Sequence, residues 1–127
     1  MREIKFRAWD KFKKEMRKVD KMDFHNKKGI IVWFLNGEKI LYPKQSTEIM
    51  QYTGLKDKNG KEIYEGYIVE FWVDGCAKSR TAKVKFNTER GRWILFATIG
   101  HHRDLTAEKA SKCEIVGNIF ENSELLK

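Results

Sequence analysis

The sequence predicts a mainly β protein, and three observations predict it. Short alternating or β-branched apolar stretches recur through the chain, turn signals separate them every 8 to 15 residues, and strand follows strand without the regular intervening helices of a βαβ sheet. Seven or eight short strands in that order point to a barrel or a sandwich. At 127 residues and 41% hydrophobic composition the chain has the size and the core material of one domain, expected to span residues 1–127.

The first strand is expected over Glu3 to Trp9, with Ile4, Phe6 and Ala8 on one face and Lys5, Arg7 and Trp9 on the other. Asp10 to Lys28 is highly charged, and its apolar Phe12, Met16, Val19, Met22 and Phe24 fit neither period. A loose hairpin or loop is expected there, with a helix over 11–22 as the alternative. Ile30 to Leu35 is a continuous β-branched and aromatic run, the pattern of a strand covered on both sides. Asn36-Gly37 then suits a tight type I′ turn, which needs positive φ, and Lys39 to Tyr42 pairs back until Pro43, the only proline.

Residues 47–52 make a further short strand. Asn59-Gly60 supplies a second turn between Leu55 and Ile63, and Gly66 a third break. Tyr67 to Val73 alternates, as does Arg80 to Asn87. Trp93 to Ile99 is apolar on both faces, which marks a central strand or one folded over a corner of a small barrel. Glu108 to Lys112 is expected to form one helical turn, Glu114 to Phe120 a last strand bent at Gly117, and Asn122 or Ser123 to cap a short terminal turn.

The formal net charge is +8, from 26 Lys and Arg against 18 Asp and Glu. Residues 1–28 hold 11 of the basic and 5 of the acidic side chains, so the positive field gathers at the N-terminal end. Such a field favours an acidic partner or serves solubility. No run approaches the roughly 20 apolar residues of a membrane helix, and the opening residues lack the apolar stretch of a secretory signal, so a cytoplasmic protein with no membrane partner is expected. Cys76 and Cys113 are isolated and form no C-x-x-C pair, which predicts inert thiols rather than a disulfide or a metal site.

Catalytic patterns fail on spacing. Asp57 to Glu62 superficially suggests a calcium loop, but counting from Asp57 places Gly60 at position 4 and Glu62 at position 6, where such a loop needs glycine at 6 and glutamate at 12. His101 and His102 are adjacent and point to opposite faces of any strand; with His25 and the two cysteines they exhaust the soft ligands, and zinc-site spacing is absent. There is no nucleophile elbow and no phosphate-cradling glycine loop, and Glu62 and Glu65 read as solvated turn charges. No enzyme activity, metal or cofactor is expected.

Two faces have content for nucleic acid, which is gripped by rings set among cations. Lys5, Arg7 and Trp9 share one strand face. If strands 67–73 and 80–87 pair as a hairpin, Trp72 and Ile68 share a face with Lys83 and Lys85. The competing reading is that the aromatics serve the core and the lysines blunt strand edges.

Met50 to Val69, MQYTGLKDKNGKEIYEGYIV, resembles the YopX family of phage and prophage proteins, and the opening MREIKFRAWD and closing VGNIFENSELL are similar to that family's two ends. Segments 15–45 and 74–112 carry little of the likeness. One position departs from it: where the family usually reads Glu-Gly-Asp-Ile-Val, this chain has Tyr67. The resemblance implies an SH3-like small barrel, a bacterial host cytoplasm and self-association, and it points to no particular biochemical activity. The expected function is therefore a binding or adaptor module acting on a protein, either a second copy or a phage or host protein, with nucleic-acid binding as the alternative.

Overall fold

A computed structural model describes residues 3–72, 78–97 and 102–126. They form two compact units, Glu3–Gln51 and the chain from Tyr52 onward. No helix among the described residues is long and apolar enough to cross a membrane.

The N-terminal unit contains β1 (Phe6–Asp10), β2 (Glu15–Asp23), β3 (Ile30–Phe34), β4 (Lys39–Tyr42) and the start of β5 (Ile49–Lys56). Every pairing is antiparallel, in the order β4-β3-β2-β1-β5. The segment expected to be a loop or a helix is therefore the nine-residue strand β2. Its core side is Ala8, Ile30, Val32, Phe34 and Tyr42, with Val19, Met22, Ile40 and Ile49 packed against them. Alternation leaves the other side of the sheet to Arg7, Trp9, Lys18, Lys21, Trp33, Lys39 and Leu41.

The second unit pairs the end of β5 with β6 (Glu62–Tyr64) and builds β7 (Tyr67–Trp72), β8 (Ser79–Asn87), β9 (Arg92–Phe96), β10 (His102–Asp104) and β11 (Glu114–Asn118) into the order β10-β9-β8-β7-β11. Its core joins Ile63, Val69, Phe71, Ala82, Val84, Leu95, Leu105, Ala110 and Cys113. The expected helical turn is α1 (Ala107–Ala110), capped by the Thr106 side chain, and a 3₁₀ turn over Ser123–Leu126 follows β11. Gly117 lies at the irregularity of β11, where a Cβ would sit 2.4 Å from the Asn122 Oδ1.

The protein is mainly β, as expected, but the SH3-like barrel does not form. Among the described residues β4, β6, β10 and β11 are each paired along one side only, so both sets of strands stay open at their edges. Alternation reports which side of a strand is buried and says nothing about closure, which needs an edge-to-edge register.

Both Asn-Gly pairs sit in hairpin loops, of three residues rather than two. In the first, Gly37 N–H donates to the Phe34 carbonyl and Phe34 N–H to the Glu38 carbonyl; in the second, Gly60 donates to Asp57 and Asp57 to Lys61. Only the glycines take positive φ, 88° at Gly37 and 78° at Gly60, so these are turns closed by a glycine bulge instead of type I′ turns. Gly66, with φ 83°, receives the N–H of Ile119 on its carbonyl and donates to that of Val84.

A different constraint acts at Gly29. A Cβ there would stand 2.2 Å from the backbone carbonyl oxygen of Tyr42, which β4 holds in register with Ile30. Gly29→Ala is expected to cost about 2 kcal/mol in urea unfolding by forcing β3 from β4. Gly37→Ala, with nothing within 4 Å of its new methyl, should cost about 1 kcal/mol for the positive φ alone.

Candidate functional site

The central motif folds into a clamp. Asp57 is 4% exposed, and its carboxylate accepts three backbone donors, two from its own loop and one from β11: Asn59 N and Lys61 N to Oδ1, each at 2.9 Å, and Ile115 N to Oδ2 at 3.1 Å. Lys58 N–H donates to the Cys113 carbonyl beside it. Burial alone raises the pKa of Asp57, but the backbone donors, Ile115 first, outweigh it and hold the group below the ordinary aspartate value. Asp57 therefore ties the β5–β6 loop to β11, and the oxygen that a calcium loop would offer to metal is already spent on N–H groups. Nearby, Tyr64 stacks between Tyr52 and Tyr67, at 5.4 and 5.6 Å between ring centroids. The position where the family usually has aspartate is thus a buried aromatic one.

The N-terminal unit holds a second polar cluster, which the sequence reading did not single out. Asp10, 2% exposed, accepts Phe12 N and Lys13 N on Oδ1 and Arg17 Nη1 on Oδ2 at 3.1 Å. Arg17 lies 4.0 Å over the Phe34 ring and extends Nη2 to Asn36 Oδ1 and Glu38 Oε1. Lys13 Nζ reaches the same Glu38 oxygen at 2.7 Å, and Asn36 Nδ2 also donates to it. Lys13, Asn36 and then other donors hold Glu38 at a pKa of about 2. This network latches the β1–β2 turn to the β3–β4 turn.

The latch frames a cleft of about 390 Å³ lined by Asp10, Phe12, Arg17, Glu38 and Leu41 among others. Phe12 on one turn and Leu35 on the other are each 74% exposed, and Leu41 is 45% exposed. Two large apolar side chains on fixed turns, and a third on β4, thus stand in water.

The residues proposed from sequence occupy two sites. In the N-terminal unit Lys5 pairs with Glu3 at 2.8 Å; Arg7 stands opposite Lys18 across β2 and Trp9 opposite Met16, both partly buried. In the second unit the β7–β8 hairpin forms, with Ile68 opposite Lys83 and Trp72 opposite Ser79, so Trp72, Lys83 and Lys85 do share a face. They are not one cluster. Ile68 is fully buried, Glu70 and Thr81 lie between, and Thr81 Oγ1 donates to the Leu125 carbonyl of the 3₁₀ turn. Lys83 and Lys85 converge instead on Phe96, at 5.2 and 5.1 Å from its ring centroid, while Trp72 is 60% exposed.

A smaller cleft of about 270 Å³ in the same unit has Phe71, Trp72, Leu95 and Cys113 as walls and Arg103, Lys109 and Lys112 at its rim. Burial pushes the Cys113 thiol up to about 11, so it is no thiolate nucleophile near neutrality. Cys76, His101 and the side chain of His102 lie outside the described residues. No group of three His, Cys, Asp or Glu able to hold a metal occurs among the described residues.

Comparison with known proteins agrees with this architecture. The crystal structure of protein EF1440 from Enterococcus faecalis superposes with a TM-score of 0.63 at 28% identity, covering 100% of both chains. The crystal structure of protein yopX from Bacillus subtilis superposes at 0.59 with 20% identity, covering 97% of this chain and 98% of that one. No curated protein sequence matches. The YopX protein family model matches residues 5–127, both units included, and on that match the chain belongs to the YopX family.

Proposed function

We propose that this chain is a binding module that acts by association with a protein, in the first instance a second copy of itself, and performs no chemistry. The observation that carries the reading is the turn end of the N-terminal unit, where Phe12 and Leu41 line a cleft, Leu35 is exposed on the β3–β4 turn, and the Arg17 and Glu38 latch joins the two turns. Apolar side chains presented on fixed loops suit a contact surface, because little ordering entropy remains to oppose binding. The titratable groups support it too. Asp10, Asp57 and Glu38 are all held as carboxylates and Cys113 as a thiol, the opposite of the tuning that acid–base or nucleophilic catalysis near pH 7 requires. The family resemblance adds a phage or prophage setting in the bacterial cytoplasm.

Light scattering over a dilution series tests the reading. The wild type is expected to exceed the 15.1 kDa of one chain at about 100 µM and to fall towards it on dilution. Phe12→Ser/Leu35→Ser should remain at one chain's mass with its unfolding free energy within about 0.5 kcal/mol of wild type, since both positions are solvated. Lys11, Lys13, Lys14 and Lys39 surround the contact, so added salt should strengthen association by screening them. A wild type that stays at one chain's mass throughout overturns the self-association.

A further inference from the structure

The side of the N-terminal sheet facing away from its core carries two indoles set among cations on β1 to β4. Trp9 on β1 lies opposite Met16 on β2, and Trp33 on β3 lies opposite Lys21 on β2. The two indoles are therefore two strands apart, about 10 Å across the sheet, and offset along it by roughly 15 Å. Between and beside them the same face holds Lys18 and Lys21, and Lys39 stands opposite Trp33 on β4. Arg7 is not part of the open surface, because Met50 opposite it on β5 is fully buried and the Arg7 Nε is buried too. Lys18, Lys21 and Lys39 are exposed. Lys18 and Lys39 form no ion pair among the described residues, and Lys21 Nζ lies 5.9 Å from the Trp33 ring centroid. Asp23, opposite Ile31, is the acid that alternation places on this face.

We infer that this face binds a single-stranded nucleic acid. A sheet face with two partly exposed indoles interleaved with cations offers stacking to bases and attraction to phosphates, and its diagonal of about 18 Å suits several nucleotides. Charge complementarity selects the occupant: a protein partner would leave Lys18 and Lys39 to find carboxylates one by one, whereas a phosphate backbone supplies anions at regular spacing. Double-stranded DNA fits less well, because a broad sheet face enters neither groove and would leave Trp33 without a base to stack on. The surface meets the Phe12 cleft at Lys39 and Leu41, which line both, but Lys18, Lys21 and Trp33 lie outside that cleft, so the inference goes beyond the association reading and makes the module a bridge between nucleic acid and protein.

The test is fluorescence anisotropy of a labelled oligothymidylate of about fifteen nucleotides, titrated at about 50 and 200 mM salt, with urea midpoints recorded for every variant. Wild type is expected to bind and to lose at least about tenfold in affinity between the two salts. Lys18→Glu/Lys21→Glu should abolish measurable binding. Trp33→Ala should weaken it at least about tenfold while Trp33→Phe, which keeps a ring, weakens it less than about threefold. Lys83→Glu/Lys85→Glu and Phe12→Ser/Leu35→Ser should leave the affinity within about threefold, and the first pair should leave the mass series unchanged. Absence of binding at 50 mM salt overturns the inference, as does equal loss on reversing Lys83 and Lys85. Binding indifferent to Trp33→Ala overturns it as well, since the face would then be a general polyanion surface. Loss of self-association in the Phe12 and Leu35 variant with binding intact leaves the two surfaces separately established.

Discussion

Asp57→Ala is expected to lower the unfolding free energy by about 3 kcal/mol at pH 7, a large share of the roughly 5 to 15 kcal/mol that holds a small domain folded. The substitution strips an acceptor from Asn59 N, Lys61 N and Ile115 N at once. Hydrogen bonds to an ionised oxygen are the stronger kind, and a buried N–H left without a partner costs more than the bond was worth. Asp57→Asn discriminates further. Its oxygen can still accept from Asn59 and Lys61, but its amide then presents N–H towards the N–H of Ile115, so the loss should be about 2 kcal/mol and the Ile115 amide should exchange faster than its neighbours.

The pH dependence has a definite sign. The folded pKa of Asp57 is depressed below the unfolded value near 3.8, so its stabilisation is present above that value and disappears as pH falls through the folded pKa. Wild type and Asp57→Ala should therefore differ fully above the ordinary aspartate range and converge in urea titrations as pH falls through the depressed folded pKa. A difference that persists undiminished into acid would mean that Asp57 acts by packing and not as an anion.

The β7–β8 hairpin was legible because Val69, Phe71, Ala82 and Val84 alternate without interruption, and the structure buries all four on one side. Strand β2 was not legible, for a local reason. The register slips between Val19 and Lys21, so Met16 faces the solvent side while Val19 and Met22 both face the core. One extra residue converts a two-residue period into apolar positions three apart, which imitates a helix. Strand β10 is three residues long, too short for any period to show.

The candidate surfaces follow the same division. The sharing of a face by Trp72, Lys83 and Lys85 was readable from the hairpin, but the buried Ile68 and the 3₁₀ turn that comes back to Thr81 depend on the far end of the chain. Trp33 was missed because Ile30 to Leu35 reads as apolar on both sides. Only the observed pairing shows that Ile31 and Trp33 are half-buried while Ile30, Val32 and Phe34 fill the core. The Asp10–Arg17 pair had one available signal: across the β1–β2 hairpin both alternate onto Ala8's side, which should be apolar. Two opposite charges on a core-facing stripe are informative only once the hairpin register is known.

That pair sets the other large effect. Arg17→Met should destabilise by about 3 kcal/mol, because it removes the guanidinium and leaves Asp10, 2% exposed, without its cationic partner. Arg17→Lys should recover less than half of that. A lysine ammonium can reach Asp10 but has no fork to serve Asn36 and Glu38 together, and no plane to lie on the Phe34 ring. Asp10→Asn/Arg17→Met removes both charges and keeps an acceptor for Phe12 N and Lys13 N, so it should be more stable than Arg17→Met alone. A double-mutant cycle read by urea unfolding should then give a coupling of about 2 kcal/mol. A coupling near zero would place the effect of Arg17 in its stacking on Phe34 and leave Asp10 as a turn former only. The association surface offers an independent reading of the same substitution. Arg17 joins the β1–β2 turn to the β3–β4 turn through Asp10 and Glu38, so loosening it lets the turns that carry Phe12 and Leu35 move independently. Arg17→Met should therefore weaken self-association by more than its small footprint in the cleft accounts for, and dilution-series light scattering on the still-folded variant measures it.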